Sequence, residues 1–279
     1  MSFGDFNRIN TNLSSLDAQF SLNRVNRELG ESQLRLSTGL QINKAEDDAA
    51  GFSIASKLGA RIAGLEQGLQ NAGDAKSVLD IAEASFDSMI DILTEIKVKA
   101  TQAANDTYGD EERGFIQQQI DSLLDELDAI VDQTVFQEIN LLDGDYEASF
   151  QVGERTADVL FVELNQGGEG FYHDDMNLDA IDVSTHDDAQ VAMTAIDDAL
   201  TAIAEVTNDI GIYQTQLSIR EEILTQAINS NEAAQSRIQD ADFAQEQSNL
   251  VKNQILQQTA TSSLAQANQA PEAVLGFLG

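Results

Sequence analysis

The chain has 279 residues, 42% of them hydrophobic, which is enough for a substantial core, but aromatics are only 6% and tryptophan and cysteine are absent. Fifteen Lys+Arg against 48 Asp+Glu leave a net charge of −33, a surface that repels the nucleic-acid backbone. The lack of cysteine excludes disulfides and cysteine nucleophiles, and no window approaches the roughly 18 apolar residues of a membrane span.

Residues 5–43 carry an amphipathic register, Ile9, Leu13, Leu16 and Phe20, then Leu22, Val25, Leu29, Leu36 and Leu40. No basic segment leads into an apolar run there, so no cleaved signal peptide is expected. The first long seam alternates three- and four-residue steps through Leu58, Ile62, Leu65, Leu69, Ala72, Lys76, Leu79, Ala82, Phe86, Met89, Leu93, Ile96, Ala100 and Ala103. Such spacing belongs to a helix packed along other helices. The consecutive three-residue steps across Leu79 and Ala82 form a stammer that overwinds the superhelix locally. A helix from Lys57 to Ala103 would be about 70 Å long, more than the roughly 50 Å diameter of a compact globule of this size. The spacing therefore predicts an elongated rod.

A second seam reads Ile116, Ile120, Leu123, Leu127, Ile130 and Thr134. Between about Gly144 and Ser184 the character changes. Phe150–Gly153 and Val159–Val162 are β-rich runs separated by Glu154, Arg155 and Thr156, and they read as a hairpin packed on the rods. Ser184 and Asp187 have the spacing of a helix cap. The third and longest seam runs from Ala192 through Ile196, Ala199, Ile203, Val206, Ile210, Tyr213, Leu217, Arg220, Leu224, Ala227, Asn231, Ala234 and Ile238 to Ala241, broken only by Arg220 and Asn231. The last stretch is rich in Gln, Asn, Ser, Thr and Ala, and neither terminal arm can bury its apolar face alone.

Chemistry is poorly supplied. His173-Asp174-Asp175 and His186-Asp187-Asp188 repeat one triplet; they read as acidic surface stretches, the second at a helix start where Asp favours the dipole. Gly167-Gly168-Glu169-Gly170 lacks the Lys and Ser or Thr of a phosphate loop. Neither catalysis nor a metal or other cofactor is expected.

Several segments then resemble bacterial flagellin. They are Arg8–Asn12, Leu36–Asn43, Lys44–Gly51, Gln102–Thr107, Ser236–Ala244, Gln254–Gln258 and Ser263–Pro271. The matching regions cover roughly 1–143 and 187–279, with Gly4–Asn7 looking like an insertion. The resemblance implies a mainly α fold of elongated antiparallel helical rods with a small β-hairpin region, the N- and C-terminal helices pairing. Residues 1–43 and 237–279 would form the inner tube domain, 44–143 and 186–236 the rod domain, and 144–185 a short region in place of variable outer domains. It implies a homopolymer in the extracellular flagellar filament, exported through the flagellar channel. The cap, the hook–filament junction proteins and a cytoplasmic export chaperone on the C-terminal arm are the implied partners, with no nucleic acid and no membrane. Ile9, Leu13, Leu16 and Phe20 should pack with Leu250, Ile255, Leu256 and Leu264 and with neighbouring subunits, while Val274, Leu275, Phe277 and Leu278 should bury at subunit contacts. Asp47 and Asp48 fall in the family's bend and are expected to contact a neighbour. Glu95, Lys99 and Gln119 stand where Arg, Leu and Glu are typical of flagellins recognised by an innate-immune Toll-like receptor, so poor recognition is expected. The competing readings are a hook–filament junction protein and a coiled-coil binding module that does not polymerise.

Overall fold

The structure, a computed structural model, describes residues 11–165 and 170–278, with side chains described through Gln269. Five helices dominate: α1 (Leu13–Thr38), α2 (Ala49–Ala103), α3 (Asp110–Gln133), α4 (His186–Gln239) and α5 (Phe243–Leu278). Between α3 and α4 lie β1 (Val135–Phe136), β2 (Ile139–Asn140), β3 (Glu147–Gln151) and β4 (Val159–Glu163), paired as two antiparallel hairpins. The chain is mainly α, with a small hairpin region, as its apolar period predicts. No helix among the described residues is long and apolar enough to cross a membrane. Two compact units divide the chain, Arg61–Asn229 and the two terminal parts Met1–Ala60 with Ser230–Gly279.

The Arg61–Asn229 unit has its own core. Leu79, Phe86, Met89, Leu93 and Ile96 of α2 are inaccessible to solvent, as are Ile120 and Leu127 of α3 and Ile196, Ile203, Ile210 and Leu217 of α4. At the stammer the buried line runs through Ala75, Val78 and Leu79 rather than Lys76, whose half-buried stem carries Nζ to Ser218 Oγ on α4 at 3.3 Å. On α3 Leu124 and Val131 are buried where the seam predicted Leu123 and Ile130, which pack beside them half-buried. The chain of residues 171–183 lies along α3 as well, so its apolar stripe is broader than a two-helix seam requires. Arg220 and Asn231 are both half-buried on α4. The helix ends at Gln239, so Ala241 falls beyond it.

Local chemistry sets the breaks. Arg113, only 8% exposed, donates from Nε to the Ala103 carbonyl at 2.9 Å and so satisfies the end of α2. The β1–β2 turn uses Gln137 (φ 49°) and Glu138 (φ 69°) in the left-handed region, where Asn-Gly is the usual pair; without that signal the hairpin is not legible in the sequence. The larger hairpin forms, but its first strand is Glu147–Gln151, three residues earlier at its start than the expected Phe150–Gly153. Ala148 faces Val162 and Phe150 faces Leu160, and Leu160 and Val162 are buried against the helices. Its turn lies close on α2, because a Cβ on Gly68 would sit 2.9 Å from the Gly153 nitrogen. The cap of α4 is one residue later than expected. Thr185 Oγ1 accepts from the Asp188 N–H at 3.2 Å and donates to the Asp188 carboxylate, whereas the Ser184 N–H bonds Asp182 Oδ1.

Candidate assembly surface

The terminal unit is built on α1 and α5. Asn12 caps α1 by accepting the Ser15 N–H at 3.0 Å, and Gly39, at φ 75°, closes it with its N–H on the Arg35 carbonyl. The two helices run antiparallel: Asn12 Nδ2 donates to the Ala267 carbonyl (2.7 Å), Gln257 Nε2 to Asn26 Oδ1 (2.7 Å) and Arg35 Nη1 to Glu246 Oε1 (3.3 Å). Each contributes a line of alternating three- and four-residue steps that is buried or half-buried. On α1 it is Ser15, Ala18, Leu22, Val25, Leu29, Ser32 and Leu36; on α5 it is Glu246, Leu250, Asn253, Gln257, Ala260, Leu264 and Ala267. The regularity is that of a coiled coil.

This seam is thin and polar. Ser32, Glu246 and Asn253 are 6–7% exposed, and Glu246 Oε2 has no hydrogen-bond partner. A buried carboxylate that is half satisfied adds little stability, but sliding the helices would leave it without Arg35 as well. Polar seam positions of this kind specify register at the expense of strength.

The expected arm-to-arm contacts are only partly made. Leu250 and Leu264 lie in the seam. Leu13, Leu16 and Phe20 do not, being 49%, 53% and 66% exposed, and neither do Ile255 at 59% and Leu256 at 39%. The physical reason lies in the step from Phe20 to Leu22. At 3.6 residues per turn two residues turn the helix by about 200°, so Leu13, Leu16 and Phe20 form a separate stripe facing away from the Leu22–Leu36 stripe. Phe243 and Val251 of α5 are exposed in the same way, and sequence periodicity alone did not single them out. Ile9 lies outside the described residues, as do the side chains of Val274, Leu275, Phe277 and Leu278.

Beside the arm pair, two bends connect to the long helices. Gln41 N–H bonds the Gln239 carbonyl at 2.6 Å and Ala241 N–H bonds the Gly39 carbonyl at 2.8 Å, tying the bends to one another around a Leu40–Asp240 bridge. Asp47 Oδ2 accepts the backbone N–H groups of Asn43 (2.9 Å) and Lys44 (3.0 Å). Those bonds, first that from Asn43 and then that from Lys44, hold its carboxyl below the ordinary Asp range. Asp48 Oδ1 accepts the Ala50 N–H at 3.0 Å at the start of α2. Both carboxylates thus have work within the bend, although their side chains remain exposed. Gly51 lets the Asp48 carboxylate and the Ile42 side chain lie close on the first turn of α2, since a Cβ there would meet Asp48 Oδ2 at 2.5 Å and displace it.

A helical chain whose two ends pair antiparallel, over a seam too polar to be strong, and which displays apolar side chains on the outer face of both helices belongs to the class of self-associating helical subunits. Known proteins make that specific. The bacterial flagellin N-terminal helical region matches residues 9–147, and the flagellin C-terminal helical region matches residues 193–278. A flagellin of Halalkalibacterium halodurans is 34% identical over 272 residues, which covers 97% of this chain and 99% of that one. The flagellar filament 33 kDa core protein of Treponema phagedenis is 31% identical over 283 residues, covering 97% and 99%. Among solved structures, a chain assigned as a flagellar hook-associated protein of Vibrio parahaemolyticus shares the fold, with a TM-score of 0.59 at 13% identity, over 70% of this chain and 100% of that one. The chain belongs to the bacterial flagellin family. It is a structural subunit of the extracellular flagellar filament and serves motility; the family is structural, not enzymatic.

Proposed function

We propose that the α1–α5 pair is the part of the subunit that builds the inner filament wall, and that its outward apolar stripe is the contact with neighbouring copies. The observation that supports this most directly is the exposure of Leu13, Leu16 and Phe20 on one helix and of Phe243, Ile255 and Leu256 on the other. Exposed apolar patches on both partners of a weak pair are unfavourable in a monomer and become favourable on burial in a polymer. Ile9, Val274, Leu275, Phe277 and Leu278 extend the same contact in this reading. Residues 1–43 and 237–279 make up the inner tube, 44–143 and 186–236 the surrounding rods, and 144–185 the outermost part. Asp47 and Asp48 shape the bend between tube and rod, and their exposed side is open to a neighbour.

The remaining partners in this reading are those that the flagellin resemblance implies. The subunit is exported through the flagellar channel, met by a chaperone that covers the C-terminal arm, and assembled between junction and cap proteins. Recognition by the innate-immune receptor is poor, because Glu95, Lys99 and Gln119 replace a cation, an apolar anchor and a carboxylate, and changes at such hot spots cost several kcal/mol, about 2 or more each.

The test is removal of residues 1–43 or of 240–279. Polymerisation should be lost while circular dichroism still reports helical, cooperatively melting rods, since the core of the Arg61–Asn229 unit is independent of the arms. Normal filaments from either truncated protein would refute the inner-wall assignment.

A further inference from the structure

We propose that the segment after β4 holds a divalent transition-metal site formed by His173, Asp174 and Asp179. In the sequence the His173-Asp174-Asp175 triplet looks no different from His186-Asp187-Asp188. The fold separates them. Phe171 is inaccessible to solvent and packs edge-on against Phe86 of α2, with ring centroids 4.8 Å apart, and this anchors the start of the segment. The chain then turns back on itself: Leu178 N–H bonds the His173 carbonyl at 2.8 Å and Asn177 N–H bonds the Asp174 carbonyl at 3.1 Å, with Asn177 at φ 57°. That turn returns Asp179 to His173. One ligand atom each from His173, Asp174 and Asp179 lies within 4.8 Å of the others.

The imidazole is already oriented as a ligand. Its Nδ1 is 2.6 Å from Asp128 Oδ2 on α3, while the His173 N–H donates to Asp128 Oδ1 at 2.9 Å. A carboxylate on one ring nitrogen fixes the tautomer, raises the basicity of the other nitrogen and is the usual outer partner of a metal-bound histidine. Asp128 is outside the cluster and belongs to α3, so the ring is held from a helix as well as from the turn. The other ring nitrogen, Nε2, is 2.8 Å from Asp174 Oδ1. Ligand atoms around tetrahedral zinc are about 3.3 Å apart, so the pair has to open slightly from its present ion-pair distance to admit an ion, and a carboxylate oxygen of the exposed Asp179 lies within 4.8 Å to take the third position.

Electrostatics favours occupation. Three carboxylates, Asp128, Asp174 and Asp179, surround one imidazole within a chain of −33. The metal ion takes up the Nε2 lone pair, and any proton on that nitrogen leaves to solvent. One imidazole nitrogen with two carboxylate oxygens suits zinc and its neighbours, and leaves coordination positions for water or a further ligand. His186 offers no such geometry. Its Nδ1 is 2.6 Å from the Ala104 carbonyl and its Nε2 is 2.9 Å from Gln190.

Titration of the full chain, as monomer, with zinc chloride by calorimetry tests the site. A single one-to-one site is expected, unchanged in His186→Ala and unaffected by excess calcium chloride. His173→Ala and Asp179→Asn should each weaken it by about tenfold or more, and Asp128→Asn by about tenfold. Asp179 is exposed, so its substitution leaves the fold intact even if His173→Ala perturbs the turn. Absence of a one-to-one site in the unaltered protein, zinc uptake indifferent to Asp179→Asn, or displacement by calcium as readily as by zinc would each overturn the proposal.

Discussion

At the scale of single residues, the outward face of α1 and the bend after it make separable predictions. Phe20 is two-thirds exposed, so Phe20→Ala should leave the melting of the monomer within about 0.5 kcal/mol of the parent, as for other surface changes. On the proposed reading that the side chain is buried between subunits, its burial contributes about 1.5–3 kcal/mol per contact. The critical concentration for assembly should therefore rise at least tenfold, since 1.4 kcal/mol is a factor of ten. Sedimentation across a concentration series reads this directly; a parallel loss of monomer stability would mean that Phe20 is part of a folded core. Asp47 gives a pH signature. Its carboxyl is held below the ordinary value of 3.8, so the bend is stabilised above that pH and loses the contribution as the pH falls through the lowered folded value. Protection of the Asn43 and Lys44 amides, taken relative to the intrinsic exchange rate at each pH, should fall on acidification below 3.8. In Asp47→Asn that pH step should vanish.

At the scale of elements, the arm pair should be the least protected part of the monomer. Its seam buries Ser32, Glu246 and Asn253, while the helices of the Arg61–Asn229 unit share one continuous apolar cluster. Amides of α1 and α5 should exchange quickly before assembly and slowly within the filament, because ordering is completed by burial of the outer stripe. Equal protection in both states would favour a self-sufficient folded module. The same contrast explains what could be read from the sequence. Long apolar periods announce α2, α3 and α4 because the alternative to burial is costly along their whole length. The α1–α5 seam is masked because its inward positions include Ser15, Ser32, Asn253 and Gln257, while the stronger apolar residues, such as Phe20 and Ile255, face outward. Hydrophobic pattern marks burial in the final state, not in the isolated chain. The His173 cluster was hidden for a different reason: the ring is set by Asp128, 45 residues away, and no local spacing records that.

For the whole molecule, charge makes a prediction of its own about assembly. Every subunit brings −33 into a polymer of like subunits, so repulsion opposes each lateral contact. The screening length is about 8 Å at 0.15 M salt and about 3 Å at 1 M, so added salt removes most of the repulsion between adjoining surfaces. Such an excess of acid also goes beyond the net charge of about 2–8 that keeps a small domain soluble, and is consistent with assembly in a saline medium. The critical concentration should fall steadily as sodium chloride is raised. A value that is flat or rising with salt would show that the acidic groups lie too far from the contacts to matter.

The antiparallel pairing of Asn12 with Ala267 has a consequence in time. These residues are 255 positions apart in sequence, near the greatest separation the chain permits, so the contact ranks among the last that synthesis or translocation can supply. Until residues 246–267 are available, α1 has no partner on its own chain, whereas α2 and α3 can meet across a short connection. Folding controlled by such distant closure is slow compared with folding through neighbouring helices. The Arg61–Asn229 unit should therefore form first, and an N-terminal arm that emerges early stays in an extendable state through the interval in which the rest of the polypeptide is still being delivered. Chain topology alone acts here as a clock, delaying association competence until the polypeptide is complete enough to close on itself.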